Sequence, residues 1–159
     1  LDKYDDARAL CNEKKGAFIY ASNYSLGVNI FFELNKQLAK MMKAVEGYNI
    51  SMEEIHHTEK LDAPSGTAIT LAEGIIENTA KNNWKLGEDA SEDTIAITAK
   101  RIPEVPGTHA VLYNSEVDAI EIKHTAHSRK GFALGAVIAA EWISDKTGVF
   151  SMKDVLNIR

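Results

Sequence analysis

The sequence predicts an α+β fold: a mixed sheet of roughly four strands with helices on one face, flanked at both termini by remnants of an α/β layer. Three observations carry that expectation. Between residues 50 and 125, short apolar or alternating runs recur with turn signals between them, which is the pattern of strands. Two segments of the same region instead place apolar residues at spacings of three and four, the helical period. The first 21 residues, finally, read as a helix feeding a short apolar strand, half of a doubly wound unit.

In chain order, Asp5 to Lys15 carries Ala7, Leu10 and Cys11 on one helical face, has lysines in its last turn and stops at Gly16. Ala17-Phe18-Ile19-Tyr20-Ala21 is a continuous apolar run, expected as a strand buried on both faces. Ser22 to Gly27 is a loop just past the carboxyl end of that strand, where open α/β sheets bind ligands. Phe31, Leu34, Leu38, Met41 and Val45 mark an amphipathic helix closed by Gly47. A strand through Ile50 and Met52 runs into His56-His57, and Pro64-Ser65-Gly66-Thr67 launches a second helix. Its buried stripe is Ala68, Ala72, Ile75 and Ile76, with Ser65 or Thr67 as N-cap. Asn82 to Asp93 is polar and reads as loop. Strands follow at Thr94–Thr98, Ala110–Tyr113 and Ala119–Thr125, the last with Ile120 and Ile122 inward. Leu134, Val137, Ile138 and Trp142 mark a third long helix ended by Gly148. Ser151 and Asp154 form a capping-box-like start, with Phe150 placed to staple against Val155.

Composition removes several function classes. The 159 residues are 45% apolar and 26% charged, as in an ordinary globular domain. A net charge of −5 and the absence of a basic stripe argue against nucleic acid as a partner. No apolar run reaches the roughly 20 residues of a membrane span. Leu1-Asp2-Lys3-Tyr4 is charged and mixed, so no signal peptide is expected, and the single cysteine, Cys11, suits a reducing compartment. The expected setting is cytoplasmic.

The chemistry concentrates in Glu54 to Ala68. Two adjacent imidazoles can exchange a proton near neutral pH, Lys60 supplies a positive charge, and the Pro-Ser-Gly-Thr turn offers backbone N–H groups where a helix favours an anion. Together they suit a small molecule with carboxylates and an atom to be protonated. Plainer readings stand beside this one. Strand alternation sends His56 and His57 to opposite faces, so either ring could be structural. The turn is a helix cap in any case. Arg101 and Arg129 read as solvated surface charges. Glu53, Glu54, His56, His57, His109, His124 and His127 suit a metal by type, but no H-E-x-x-H or Cys/His pairing occurs, and no metal site is expected.

Glu54 to Ala68 resembles the signature E-x-H-H-x-x-K-x-D-A-P-S-G-T-A of the 4-hydroxy-tetrahydrodipicolinate reductase (dihydrodipicolinate reductase) family. Asn23-Tyr24-Ser25-Leu26-Gly27-Val28-Asn29 is similar to the family's N-[FY]-S-x-G-V-N hinge. Val105–Thr108, His124–Arg129 and Gly148–Leu156 also look like family segments. The resemblance implies an N-terminal Rossmann domain that binds NADH or NADPH, and a C-terminal substrate domain that also builds a homotetramer. It makes His56 the general acid and Lys60 its catalytic, carboxylate-binding partner. His57, Ser65, Gly66 and Thr67 would line the carboxylates of a small cyclic dicarboxylate. Ser22, Tyr24 and Phe132 would sit on the cofactor side, with Arg129 at a second hinge.

The family's glycine-rich G-x-x-G-x-[MG]-G turn is absent, and Thr108 to Glu121 is shorter than in many relatives. The expected division is therefore residues 1–24 as a remnant of the dinucleotide-binding domain, 25–129 as the substrate-binding and oligomerisation domain, and 130–159 as C-terminal helices returning to the first. The apolar faces of Asp5–Lys15, Ala17–Ala21 and Gly131–Thr147, without the missing N-terminal Rossmann domain, are expected to be exposed, paired with another copy or disordered.

Overall fold

A computed structural model describes residues 2–88 and 91–158. The chain forms two compact units, one of residues 1–29 with 130–159 and one of residues 30–129. In chain order the elements are α1 (Tyr4–Glu13), β1 (Ala17–Ile19), α2 (Leu26–Met42), β2 (Asn49–His56), α3 (Gly66–Ile76), β3 (Asn83–Leu86), β4 (Thr94–Arg101), β5 (Gly107–Asn114), β6 (Ala119–Ala126), α4 (Lys130–Ile143), β7 (Gly148–Phe150) and α5 (Met152–Val155).

The central unit is a five-stranded mixed sheet in the order β3-β4-β2-β5-β6. β3, β4 and β2 run parallel, while β5 and β6 join antiparallel. Alternation along β2 buries Ile50, Met52, Glu54 and His56 on one face. Ile50 and Met52 pack with α2 and α3 through Phe31, Leu38, Leu71 and Ile75, together with Ile95, Ile97, Val111 and Tyr113 of the neighbouring strands. Each such side chain contributes roughly 1.5–3 kcal/mol by leaving water. Asn35 is enclosed in this core and donates to the Leu71 carbonyl at 2.9 Å, tying α2 to α3. Gly74 lets the two helices meet: a Cβ there would lie 3.2 Å from the Lys36 side chain. The α+β class and the mixed sheet with helices are as the sequence predicts.

Several details differ. β3 lies in the segment read as loop, because Asn83-Trp84-Lys85-Leu86 has no clean alternation and occupies a sheet edge. Asp89 and Ala90 of that segment lie outside the described residues. In α2, Phe31 and Leu38 are buried as expected, but Leu34 and Met41 are exposed, and the helix ends at Met42. The buried face runs through Val28, Asn35, Ala39 and Met42 instead, since a polar Asn35 with a hydrogen-bond partner serves as well inside as a leucine. Ile122 packs against the core, whereas Ile120 stays partly exposed.

In the terminal unit β1 pairs in parallel with β7, from Ala17↔Gly148 to Ile19↔Phe150. β7 is a further strand not anticipated: α4 ends at Ile143, short of the expected Gly148, and Gly148 opens the strand, while Ser151 and Asp154 form the expected capping box of α5. Ala17 is exposed and Phe18 and Ile19 are half-buried, short of the burial expected on both faces. A two-stranded sheet has too little cover for more. On α4 the buried residues are Gly135 and Ala139, while Leu134 and Val137 are 58% and 54% exposed. Ile138 and Trp142 of the expected stripe are half-buried, Trp142 against Phe150, but the most buried positions of the face are its smallest residues. Leu10 of α1 is likewise exposed.

Candidate functional site

Register converts three separate strands into one cluster. Glu54 of β2 stands opposite His109 of β5, and His56 of β2 opposite Arg101 of β4. Glu54 and His56 are two apart and so share the helix-covered face. Glu54 is fully enclosed, and His56 and His109 are buried. The Glu54 carboxylate is the hub. Its Oε1 accepts from Arg101 Nη2 at 3.2 Å, and its Oε2 accepts from the Ser65 backbone N–H at 3.0 Å. The same Oε2 lies 3.5 Å from His56 Nδ1 and 3.7 Å from His109 Nε2. The rings of His56 and His109 meet edge to face at 4.9 Å.

After β2 the chain loops out through Lys60 and returns at the start of α3. Ser65 caps that helix, its Oγ accepting from the Ala68 N–H at 3.2 Å and lying 3.1 Å from His109 Nε2. Arg101 fastens the loop as well as Glu54: it donates to the carbonyls of Asp62 at 2.7 Å and Lys60 at 3.3 Å. The Lys60 ammonium pairs with Asp62 at 2.7 Å, which holds the Asp62 carboxyl below its ordinary range. Beyond Ser65, Gly66 is exposed and has open space where a Cβ would stand. The N-terminal end of α3 borders that space, and the dipole of a helix favours an anion at its N-terminus. Thr67 beside it is half-buried.

The charges are arranged around a proton. Burial alone would raise the Glu54 pKa, but His109, the Ser65 hydroxyl and amide, and the charge of His56 overcome it and bring it to about 2. Glu54 is therefore ionised at any ordinary pH. His56 moves the other way from usual histidines. Burial and the neighbouring His109 lower it, the Glu54 carboxylate opposes them, and Lys60 and Arg101 lower it further, to about 4. The resting ring is neutral at pH 7. His56 Nδ1 is enclosed with no hydrogen-bond partner. The donor atoms of Glu54, His56 and His109 lie within 4.8 Å of one another, a spacing that could in itself hold a cation. However, Ser65 already engages Oε2 and sits on His109, and two cationic side chains border the cluster. That donor set favours a proton and an anion over a metal.

His57 turns away from this cluster, as alternation requires. It is half-buried and lines a cleft of about 500 Å³ together with Glu59, Pro103, Pro106 and Arg129. His56, His57, Lys60, Ser65, Gly66, Thr67 and Arg129 thus all belong to the central unit, while Ser22, Tyr24 and Phe132 belong to the terminal one. Ser22 is exposed and Phe132 half-buried. Tyr24 donates its hydroxyl to the Ile19 carbonyl at 3.2 Å. The start of α2 is closed by its own chain: Ser25 Oγ accepts from Val28 N–H, and Asn23 Oδ1 from Ser25 N–H. With no glycine-rich turn in the sequence, these residues do not fit a dinucleotide pyrophosphate.

Three participants escaped the sequence reading. Arg101, read as a solvated surface charge, is a half-buried clamp with four hydrogen bonds. Glu54 and His109 figured only as possible metal donors by type. The two-residue spacing from Glu54 to His56 was a usable signal; the places of His109 and Arg101 depend on strand register.

Residues 27–156 match the family described as dihydrodipicolinate reductase, C-terminus. The chain is 61% identical over 158 residues to the 4-hydroxy-tetrahydrodipicolinate reductase of Christiangramia forsetii, covering 99% of itself and 66% of that protein. It is 41% identical over 144 residues to the enzyme of the same name from Methanosarcina barkeri, covering 88% and 54%. The chain thus spans between about half and two thirds of the length of these curated relatives. In fold it is similar to a solved dipicolinate-bound dihydrodipicolinate reductase from Paenisporosarcina sp. TG-14, with a TM-score of 0.70 at 23% identity, over 99% of this chain and 60% of that one. The signature around His56, the fold and the match across residues 27–156 agree, and the chain belongs to the dihydrodipicolinate reductase family.

Proposed function

We propose that this chain carries the substrate-binding and proton-donating part of a 4-hydroxy-tetrahydrodipicolinate reductase of the diaminopimelate and lysine pathway. The observation that supports it best is the buried Glu54–His56–His109 cluster lying beside a helix start and a tethered Lys60. The reaction consumes one hydride and one proton and releases the substrate's hydroxyl as water, leaving tetrahydrodipicolinate. The hydride is supplied by NADH or NADPH. Residues of this chain would bind, orient and protonate. Lys60 exchanges Asp62 for a substrate carboxylate, Gly66 and Thr67 at the start of α3 line the other, and His56 supplies the proton. Ser65, whose hydroxyl and amide are engaged within the chain, serves by shaping that helix start.

Residues 25–129 form the substrate and assembly domain in this reading, with 1–24 and 130–159 on the dinucleotide side. Ser22, Tyr24, Arg129 and Phe132 would border the nicotinamide, in a cytoplasmic tetramer. A second reading is that the chain by itself binds substrate and assembles without turning over. The sequence favours it by lacking a glycine-rich turn for the pyrophosphate.

Calorimetric titration with pyridine-2,6-dicarboxylate, a flat mimic of the substrate, tests the site. The chain should bind it, and Lys60→Ala should weaken binding at least roughly tenfold, the loss of one charge-assisted contact. Equal binding by both chains, or none by either, would remove the support for this substrate site.

A further inference from the structure

His56 presents a difficulty that its own surroundings resolve. A proton donor is needed, yet the resting ring is neutral. The charged and titratable groups facing it are His109 from β5, Lys60 from the loop after β2, Arg101 from β4 and Glu54 from its own strand. Two fixed cations stand against one carboxylate, so a proton on the ring is disfavoured until negative charge arrives. A dicarboxylate brings that charge. What remains is to decide which nitrogen faces the ligand and what balances the cation from behind.

Geometry decides both. The Nδ1 edge of His56 is enclosed, lacks a hydrogen-bond partner and lies 3.5 Å from Glu54 Oε2. The opposite edge is positioned by a missing side chain. A Cβ on Gly107 would stand 3.2 Å from Nε2 and 3.3 Å from Cδ2, and Gly107 has φ +156°, a conformation that other residues avoid. The ring therefore has a carboxylate behind its enclosed Nδ1 edge, while the absence of a side chain on Gly107 leaves space beside Nε2. Glu54 in turn cannot swing away, because Arg101 holds its Oε1 and the Ser65 amide its Oε2.

We propose that Glu54 is the positioning residue for His56: its buried carboxylate keeps a hydrogen on Nδ1, leaves Nε2 as the nitrogen offered to the substrate, and stands as counter-ion when Nε2 takes up a proton from solvent. The assignment rests on the reading of His56 as the proton donor. In turnover the Nε2 proton leaves with the departing hydroxyl as water, and the ring returns to its neutral Nδ1–H form. Hydrogen bonds of catalytic groups are commonly long before the ligand is bound, and the 3.5 Å separation is one that closes as the ring becomes charged.

The test uses the free, nitrogen-15-labelled chain, so it does not depend on ligand binding. Long-range proton–nitrogen spectra identify the His56 signals by their loss in His56→Gln. At pH 7 the wild-type ring should be neutral with its hydrogen on Nδ1; a hydrogen on Nε2 overturns the proposal, and this measurement needs no Glu54 variant. In Glu54→Gln, shown to be folded by far-ultraviolet circular dichroism, the protonation midpoint of His56 should fall by about one pH unit or more, about tenfold in proton affinity. A midpoint that stays in place or rises overturns it, whereas a purely structural Glu54 would leave the midpoint where it is. Absence of dicarboxylate binding would count against the substrate site alone.

Discussion

Gly66 shows how one missing methyl group can serve a ligand and not the fold. It is the first residue of α3, behind the Ser65 cap, and a Cβ added there would meet no atom within 4 Å. Alanine is a better helix residue than glycine, by up to roughly 1 kcal/mol in a helix interior. Gly66→Ala should therefore unfold at the same or slightly higher urea concentration. The methyl group would, however, occupy the space before the first-turn amides, where a carboxylate is proposed to sit. Affinity for pyridine-2,6-dicarboxylate should fall roughly tenfold, about 1.4 kcal/mol. Calorimetry showing unchanged affinity would take this helix start out of the site. Gly107 is the contrasting case. Its missing Cβ makes room for His56 within the fold, so substitution there would strain both backbone and ring.

Among the elements, α4 is the one whose packing the sequence most disguised. Gly135 faces the backbone of Tyr24, and a Cβ built on it would fall 1.8 Å from the Tyr24 carbonyl oxygen, inside any tolerable contact. Gly135→Ala should loosen the terminal unit by about 1–3 kcal/mol, the usual cost of overpacking. Limited proteolysis should then cut within residues 130–150 well before it does in the wild type; equal resistance would mean that α4 can shift at little cost. Large apolar residues suggested a Leu134–Val137 face, since hydrophobic periodicity weighs size and is silent about close backbone approach. The same limit runs through the molecule. Helix existence and the alternation of β2 were legible, because they are local. So was the segment from His56 to Thr67, because its chemistry is contiguous. β3 and β7 were not legible, being four and three residues long; β3 occupies a sheet edge beside β4, and β7 is stabilised by β1, far along the chain. Arg101 and His109 join the site for the same non-local reason: parallel pairing of β4 and antiparallel pairing of β5 bring them to β2, and no spacing in the sequence encodes that register.

At the scale of the whole molecule, the buried site should make the stability of the central unit depend on pH. His56 has its folded pKa lowered from 6.5 to about 4. Above pH 6.5 it is neutral both folded and unfolded and contributes no pH dependence. As the pH falls below 6.5 the unfolded chain binds a proton that the folded one refuses, so stability is lost until about pH 4. Between pH 7 and 5 the loss from this group is about 2 kcal/mol. His124, also lowered by burial and by the nearby His109 and His127, acts in the same direction. Glu54 follows later: its depressed pKa supplies stability that is fully present above its ordinary value of 4.5 and disappears as the pH drops toward about 2. The two tryptophans separate the units as reporters, Trp84 lying in β3 and Trp142 in α4. In a Trp142→Phe background, urea unfolding followed by Trp84 fluorescence should show the central unit weakening steadily from pH 7 to 5. Adding His56→Gln should flatten that slope by most of the 2 kcal/mol, leaving the smaller share of His124. A slope that the His56 substitution does not change would mean that His56 titrates near its ordinary value when folded, and that the cluster does not keep it neutral in wait for an anion.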